Sequence, residues 1–446
     1  MKCFPLRFFT LAVAGLAFAP LGAESRFGLN HIVPANMSTL ANLGIGWNRP
    51  RFSAAVWHQV EASSGATYDW TDLDAEVSDS QASGLKLLYA LFPYADWDQS
   101  VCHATPSTDS STTPHVLNSA LHPDLGEYLR EPCDMAAASS FVEAVIDRYN
   151  YDGTNDMSGL TEAVAHWQIS NEPSVHLDGT EYFWYGDESK YTPVLQWGYD
   201  VINTFDSSMI VMNGGMASME SITRTYWTNV LTYASSYVEI FTFHSIGQAS
   251  VHVDSRVDEV RTFLDGLGMT STEIWVTELE LDSSNYGTSF DKGKAAQRLV
   301  EVHVRTFAAG AEKIFLAGKK YDLGNIYSNP SGTETDEFAL LEYDSSGTVV
   351  TTIVYDAMKI MIDKIDEFTL VEEVVPGELY RFEFSGGTEV WAALHPTADH
   401  STGIVSSSTT GVVSGDTLTA TDLTGTTFTE TVGSMSVHGD IRFYEP

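Results

Sequence analysis

Positive charge is scarce in this chain. Its 446 residues carry 23 Lys and Arg against 60 Asp and Glu, a formal net charge of −37. Such a surface repels nucleic acid and anionic membrane, so neither is expected as a partner. It suits a salty medium, where screening limits self-repulsion. Habitat explains the acidity more simply than a cationic partner does. Cysteine is nearly absent, at three residues, which excludes a disulfide-rich scaffold. His103, His115 and His122 lie near Cys102 and Cys133, but no paired ligand spacing forms a zinc motif, so no metal is expected. No apolar run beyond the N-terminus is long enough for a transmembrane helix. No Gly-rich phosphate loop follows the first strand candidate, which weakens a doubly wound nucleotide-binding sheet, and no cofactor is expected.

The chain opens with the pattern of an export leader. Lys2 and Arg7 form a positive start, Phe8 to Ala19 an apolar stretch, and Leu21-Gly22-Ala23 a small-residue cleavage site. Residues 1–23 are therefore read as a signal peptide, and the product as secreted, extracellular or periplasmic. Its removal takes away Lys2 and Arg7 and no acid, moving the charge from −37 to −39. Cys3 leaves with it. Cys102 and Cys133 then remain in an exported chain, where a disulfide is expected over two buried thiols.

Eight short apolar runs suit parallel strands: 26–31, 46–52, 85–92, 164–170, 209–213, 240–244, 273–277 and 313–317. Helical patterns lie between most of them, as in 137–149, where Phe141, Val145 and Tyr149 recur at four-residue steps. Further helices are expected at 193–204, 257–267, 294–308 and 350–365. This alternation points to an α/β fold, a (β/α)8 TIM barrel over 24–368. The open doubly wound sheet is the alternative. From about 369 to 446 the chain turns rich in Thr, Ser, Gly and Val, with period-two alternation as in Tyr380-Arg381-Phe382-Glu383-Phe384. A small C-terminal β-sandwich is expected there.

Two of the strands end on a carboxylate: Trp167-Gln168-Ile169-Ser170-Asn171-Glu172-Pro173 and Trp275-Val276-Thr277-Glu278. Ionised Glu is costly to bury and poor at filling a sheet. Two such strands in a barrel suggest paired carboxylates facing one site, the minimal equipment for cleaving a glycosidic bond. These segments resemble the clan A glycoside hydrolases, and within that clan family 39 and its relatives. Gly65-Ala66-Thr67-Tyr68-Asp69-Trp70 and the terminal β module add to the resemblance, which covers about residues 26–446. It implies retaining hydrolysis, with Glu172 after the fourth strand as acid/base and Glu278 after the seventh as nucleophile. Glu278 must then stay ionised, and Glu172 must hold its proton near neutrality.

Around this pair, Asn171 is expected to hydrogen-bond the sugar 2-hydroxyl. Arg49, preferred over Arg51, is expected to hold the nucleophile ionised, and His244 at the end of the sixth strand to join the site. Many clan members have Tyr two residues after this His; this chain has Ile246. Trp97, Trp184, Tyr185 and Tyr286 are placed in loops rimming the cleft, where rings stack on sugars; packing is the alternative for each. Trp57, Trp70 and Trp227 are assigned to packing. Lys319 and Lys320 follow the eighth strand and suit a carboxylate or sulfate on an anionic glycan, neutralisation of nearby acids being the plainer alternative. The expected partner is a carbohydrate, a β-glycan, bound by a monomer. The competing functions are a non-catalytic carbohydrate-binding barrel and a metal-dependent barrel hydrolase. The latter needs ligand-spaced His at strand ends, where only His31 and His244 qualify.

Overall fold

A computed structural model describes residues 24–50, 54–104, 123–175, 183–246, 252–286, 289–318, 336–395, 398–435 and 439–446. Eight parallel strands close into a barrel in sequence order: β1 Phe27–Asn30, β2 Trp47–Arg49, β3 Lys86–Leu91, β4 His166–Ile169, β5 Ile210–Met212, β6 Ile240–Ser245, β7 Glu273–Glu280 and β8 Lys313–Ala317. The (β/α)8 barrel expected from the alternation is thus the fold. The strands are almost entirely buried, as a sheet covered by helices requires.

Four of the described helices start where a side chain satisfies their first backbone donors. Asp134 caps Met135–Tyr149 by accepting from the amides of Ala136 and Ala137, each at 3.0 Å. Phe141, Val145 and Tyr149 are buried on its barrel face. Asp291 caps Lys292–Ala308 in the same way. The last barrel helix was expected from residue 350 but spans Ile353–Ile365, with Thr352 as its cap. The β-branched run Val349–Thr351 instead pairs with Leu341–Tyr343 in a two-stranded hairpin, β10 with β9.

The amino-terminal mouth of the barrel is plugged. Trp47, Leu88, Met212, Trp275 and Phe315 form a separate apolar cluster there. A side chain on Gly28 of β1 would meet the Phe315 ring at 2.5 Å, so glycine makes room for the plug. Lys313 is buried against it, its Nζ 4.8 Å and 5.0 Å from the rings of Trp47 and Trp275. Glu24 accepts from both Lys313 and Lys86, at 3.0 Å and 2.5 Å, and so offsets part of the positive charge at this end.

The C-terminal β module contains strands β11 Leu370–Val375, β12 Leu379–Glu383, β13 Glu389–Ala393, β14 Thr417–Asp422, β15 Thr427–Thr431 and β16 Arg442–Glu445. They are hydrogen-bonded as one antiparallel sheet in the order β11-β12-β13-β16-β14-β15. Alternation splits its faces. Tyr380, Phe382, Val390, Ala392 and Phe443 join the barrel core, whereas Leu379, Trp391, Ala393, Leu418, Ala420 and Tyr444 form a second core with Ile404 of helix Ser401–Ser407. Among the described residues no helix is long and apolar enough to cross a membrane.

Cys102 and Cys133 are joined, with Cα atoms 5.8 Å apart and a sequence separation of 31. The bond links the end of helix Asp96–Cys102 to the start of Met135–Tyr149. Asp98 reinforces it by accepting from the Cys133 and Asp134 amides at 2.7 Å and 2.9 Å. Loop-closure entropy for this span is about 3–4 kcal/mol. Cys102→Ser is expected to lower the unfolding free energy by that order in equilibrium denaturation. A change below about 0.5 kcal/mol, within the range of neutral surface substitutions, would show that other contacts already hold the two helix ends together.

Candidate active site

The carboxyl ends of the strands gather one polar cluster. Arg49 ends β2 and is fully buried. Its Nη1 donates to Glu278 Oε1 at 2.6 Å and to Asn30 Oδ1 at 3.3 Å. Its Nη2 donates to Asn171 Oδ1 at 2.7 Å, and its Nε to Gln168 Oε1 at 2.7 Å. One guanidinium thus ties together residues of β1, β2, β4 and β7. His244 of β6 lies between the carboxylates, its Nδ1 2.7 Å from Glu172 Oε1 and 3.7 Å from Glu278 Oε1. Its Nε2 meets Thr277 Oγ1 at 3.1 Å. An oxygen of each carboxylate and a ring nitrogen of His244 all lie within 4.8 Å of one another.

Two backbone irregularities aim these groups. A regular strand sends successive side chains to opposite faces. In β7 the pairing slips: Phe243 faces Val276, but His244 faces Glu278. This bulge brings Thr277 and Glu278 toward the same site. Asn30 fixes it by donating from Nδ2 to the Thr277 carbonyl at 2.7 Å. After β4, Ser170 and Glu172 both adopt left-handed conformations, with φ of 67° and 39°. Such strain persists only where surroundings impose it. Tyr94 OH meets Ser170 Oγ at 2.8 Å, Tyr191 OH donates to the Ile169 carbonyl at 2.9 Å, and the Glu172 amide donates to the Gly214 carbonyl at 2.5 Å. Gly215, with φ of 81°, lies against the His244 ring, and any β-carbon there would collide with it.

Burial pushes the Glu278 carboxyl up, but His244, Arg49 and His31 together outweigh it and hold the carboxyl down at about 2. Glu278 is therefore held ionised. Glu172, His244 and Glu278 also present a set of atoms that a divalent cation could use. Arg49 already supplies a positive charge 2.6 Å from Glu278, which opposes a cation at that carboxylate. The other such set among the described residues, Cys102, His103 and Cys133, is spent on the disulfide.

Of the residues expected at the site, Glu172, Glu278, Asn171, Arg49 and His244 come together. The expectation that Trp184 rims a cleft is corrected. It is 1% exposed and packs against Tyr94 and Tyr191, so its ring offers no sugar a face. Trp97 is half-buried, donating to the Glu61 carbonyl at 2.8 Å and set edge-on to Trp57, so it packs its loop. The Tyr185 ring is covered on one side by the Arg130 guanidinium at 3.8 Å, and Tyr286 stacks on Phe290 at 4.5 Å. Arg51, Lys319 and Lys320 lie outside the described residues, as do residues 1–23, where an export leader was expected. Asn30, Gln168, Thr242 and Thr277 were not singled out from the sequence. Their signal was a polar side chain inside a buried strand, which is costly unless paired.

No family model matches the chain, and neither does any curated protein. Solved structures do match in fold. A family 39 glycoside hydrolase from Bacteroides cellulosilyticus superposes with a TM-score of 0.61 at 14% identity, over 94% of this chain and 80% of that one. A glucosidase from Croceicoccus marinus gives 0.59 at 13%, over 96% and 97%. A family 39 β-xylosidase from Caulobacter crescentus gives 0.57 at 15%, over 95% and 97%. The chain thus shares the barrel-plus-β-module fold of these glycosidase structures along nearly its whole length.

The depressed Glu278 carboxyl links protonation to stability. Its folded value lies below the ordinary 4.5, so its contribution is fully present above pH 4.5 and is lost as pH falls toward about 2. The stability difference between wild type and Glu278→Gln is expected to change between those limits and stay flat above them. Chemical denaturation across this range measures it. A difference that is flat down to pH 2 would mean that Glu278 is not held ionised.

Proposed function

We propose that the protein is a secreted retaining β-glycoside hydrolase acting on a polysaccharide or oligosaccharide. The observation that carries this reading is the pairing of Glu172 and Glu278 at the ends of β4 and β7, one oxygen of each lying within 4.8 Å of the other. Retaining hydrolysis places its two carboxyl groups about 5–5.5 Å apart, close enough for one to attack the sugar directly. The inverting geometry leaves a wider gap for water. The shared fold with glycosidase structures is consistent with the same reading.

In this reading Glu278, kept ionised by Arg49, attacks the anomeric carbon. Glu172 gives its proton to the leaving oxygen, and a glycosyl ester forms on Glu278. Water, deprotonated by Glu172, then attacks the same carbon and releases the sugar with its configuration retained. His244 lies within reach of both carboxylates, its Nδ1 2.7 Å from Glu172 and 3.7 Å from Glu278, so it braces the pair through both steps. Asn171 has its Oδ1 engaged by Arg49, which turns its NH2 outward as a donor for a sugar hydroxyl. The substrate is a β-glycan. An anionic one would draw on Lys319, since a chain of −37 otherwise repels it.

Proton NMR of the first product formed from a β-glycoside is expected to show the β-anomer before mutarotation. An initial α-anomer would remove Glu278 from the nucleophile role. Absence of turnover on a broad aryl β-glycoside panel, with binding retained, would leave a carbohydrate-binding barrel.

Glu172→Ala is expected to cripple substrates with poor leaving groups and to spare activated aryl glycosides. Added azide should restore turnover as a β-glycosyl azide, because a small anion fits the vacated space. Equal losses on both substrate kinds would argue against the acid/base assignment.

A further inference from the structure

Gln168 lies wholly inside the barrel, four positions before Glu172 on the same segment. Its Oε1 accepts from Arg49 Nε at 2.7 Å. Its Nε2 donates to Thr242 Oγ1 at 2.9 Å and to the Asn213 carbonyl at 3.3 Å, with Thr277 Oγ1 at 3.5 Å. Thr242 and Asn213 are locked to each other: the Thr242 amide donates to Asn213 Oδ1 at 2.7 Å, and Asn213 Nδ2 donates to the Thr242 carbonyl at 2.9 Å. One side-chain amide therefore fastens Arg49 to the β5–β6 side of the barrel.

Two consequences follow from the chemistry of that amide. The first is geometric. Arg49 meets Glu278 through Nη1 and Asn171 through Nη2, and a planar fork can serve both only if its plane is fixed. The contact at Nε fixes it. The second is electrostatic. A carboxylate would accept from Nε more strongly than an amide does. Gln168, Asn30 and Asn171 are all neutral acceptors, so none of them competes with Glu278 for the charge of Arg49.

We infer that Gln168 is a positioning residue that acts through Arg49, fixing its guanidinium without itself competing for the charge that Arg49 presents to Glu278. The inference rests on the reading of Glu278 as nucleophile only for its kinetic consequence. The arrangement of charge can be tested without substrate.

Gln168→Glu puts a second carboxylate on Arg49 at nearly the same volume. The acid limb of kcat/KM against pH is expected to move up by about 1–3 pH units, because two carboxylates then share one cation. Gln168→Met keeps the volume and removes the acceptor. It is expected to lower kcat roughly 10- to 100-fold with KM within about threefold, since misplacing the nucleophile weakens the transition state more than the ground state. An unmoved acid limb in folded Gln168→Glu, or an unchanged kcat in Gln168→Met, overturns the inference. Should Gln168→Glu not fold, the Met variant decides. Carbon-13 NMR of glutamate-labelled protein, with the Glu278 carboxyl assigned by its loss in Glu278→Gln, separates the two layers. A midpoint raised in Gln168→Glu, with no glycosidase turnover in the wild type, upholds the positioning of Arg49 and sinks the nucleophile reading. A fixed midpoint in an active enzyme does the reverse.

Discussion

The contact between Arg49 and Glu278 governs the site. Both are buried, at 0% and 4% side-chain exposure. A buried carboxylate without a cation takes up a proton, and a buried guanidinium without an anion leaves an uncompensated charge. Each makes the other tolerable. Arginine suits this better than lysine, because its five donors can also engage neutral amides in one plane. Asn30, Asn171 and Gln168 are those amides. The pair is weak grounds for stability, since ion pairs in dry interiors barely repay their desolvation. What it provides is a carboxylate that stays charged where water is scarce.

Holding that pair in place costs the backbone regularity. The bulge in β7 and the left-handed Ser170 and Glu172 after β4 sit on the two segments that carry carboxylates. The opposite mouth of the barrel shows the contrast. There Trp47, Trp275 and Phe315 interlock, and Lys313 is matched by Glu24. A barrel that is solidly packed at one end can hold strained loops at the other, which is the division of labour between stability and chemistry common to this fold. The C-terminal sheet adds to the packed part: Phe368 joins Phe307 of the helix before β8 to Phe382 of β12, with Arg26 over its ring at 4.1 Å.

The sequence made the barrel legible because alternation of buried strands and amphipathic helices is a local property, and each of the eight strand candidates became a strand. Glu172, Asn171, Glu278 and His244 were legible because a polar group ending an apolar strand is conspicuous. The loop aromatics were not. Trp184 and Trp97 have the composition of a binding platform, yet whether a ring faces solvent or a neighbour depends on contacts with Tyr94, Tyr191, Trp57 and Glu61, distant along the chain.

By itself, the sequence determined the fold class, the disulfide partners and the two carboxylates, since each follows from residue type, order and period. Only the tertiary structure decided that Arg49 faces Glu278, that His244 spans both carboxylates, and that Gln168 completes the set. Those depend on closing the barrel: β2, β4, β6 and β7 bring together residues separated by up to 229 positions, at distances that a bulge and two left-handed residues set and no periodicity encodes.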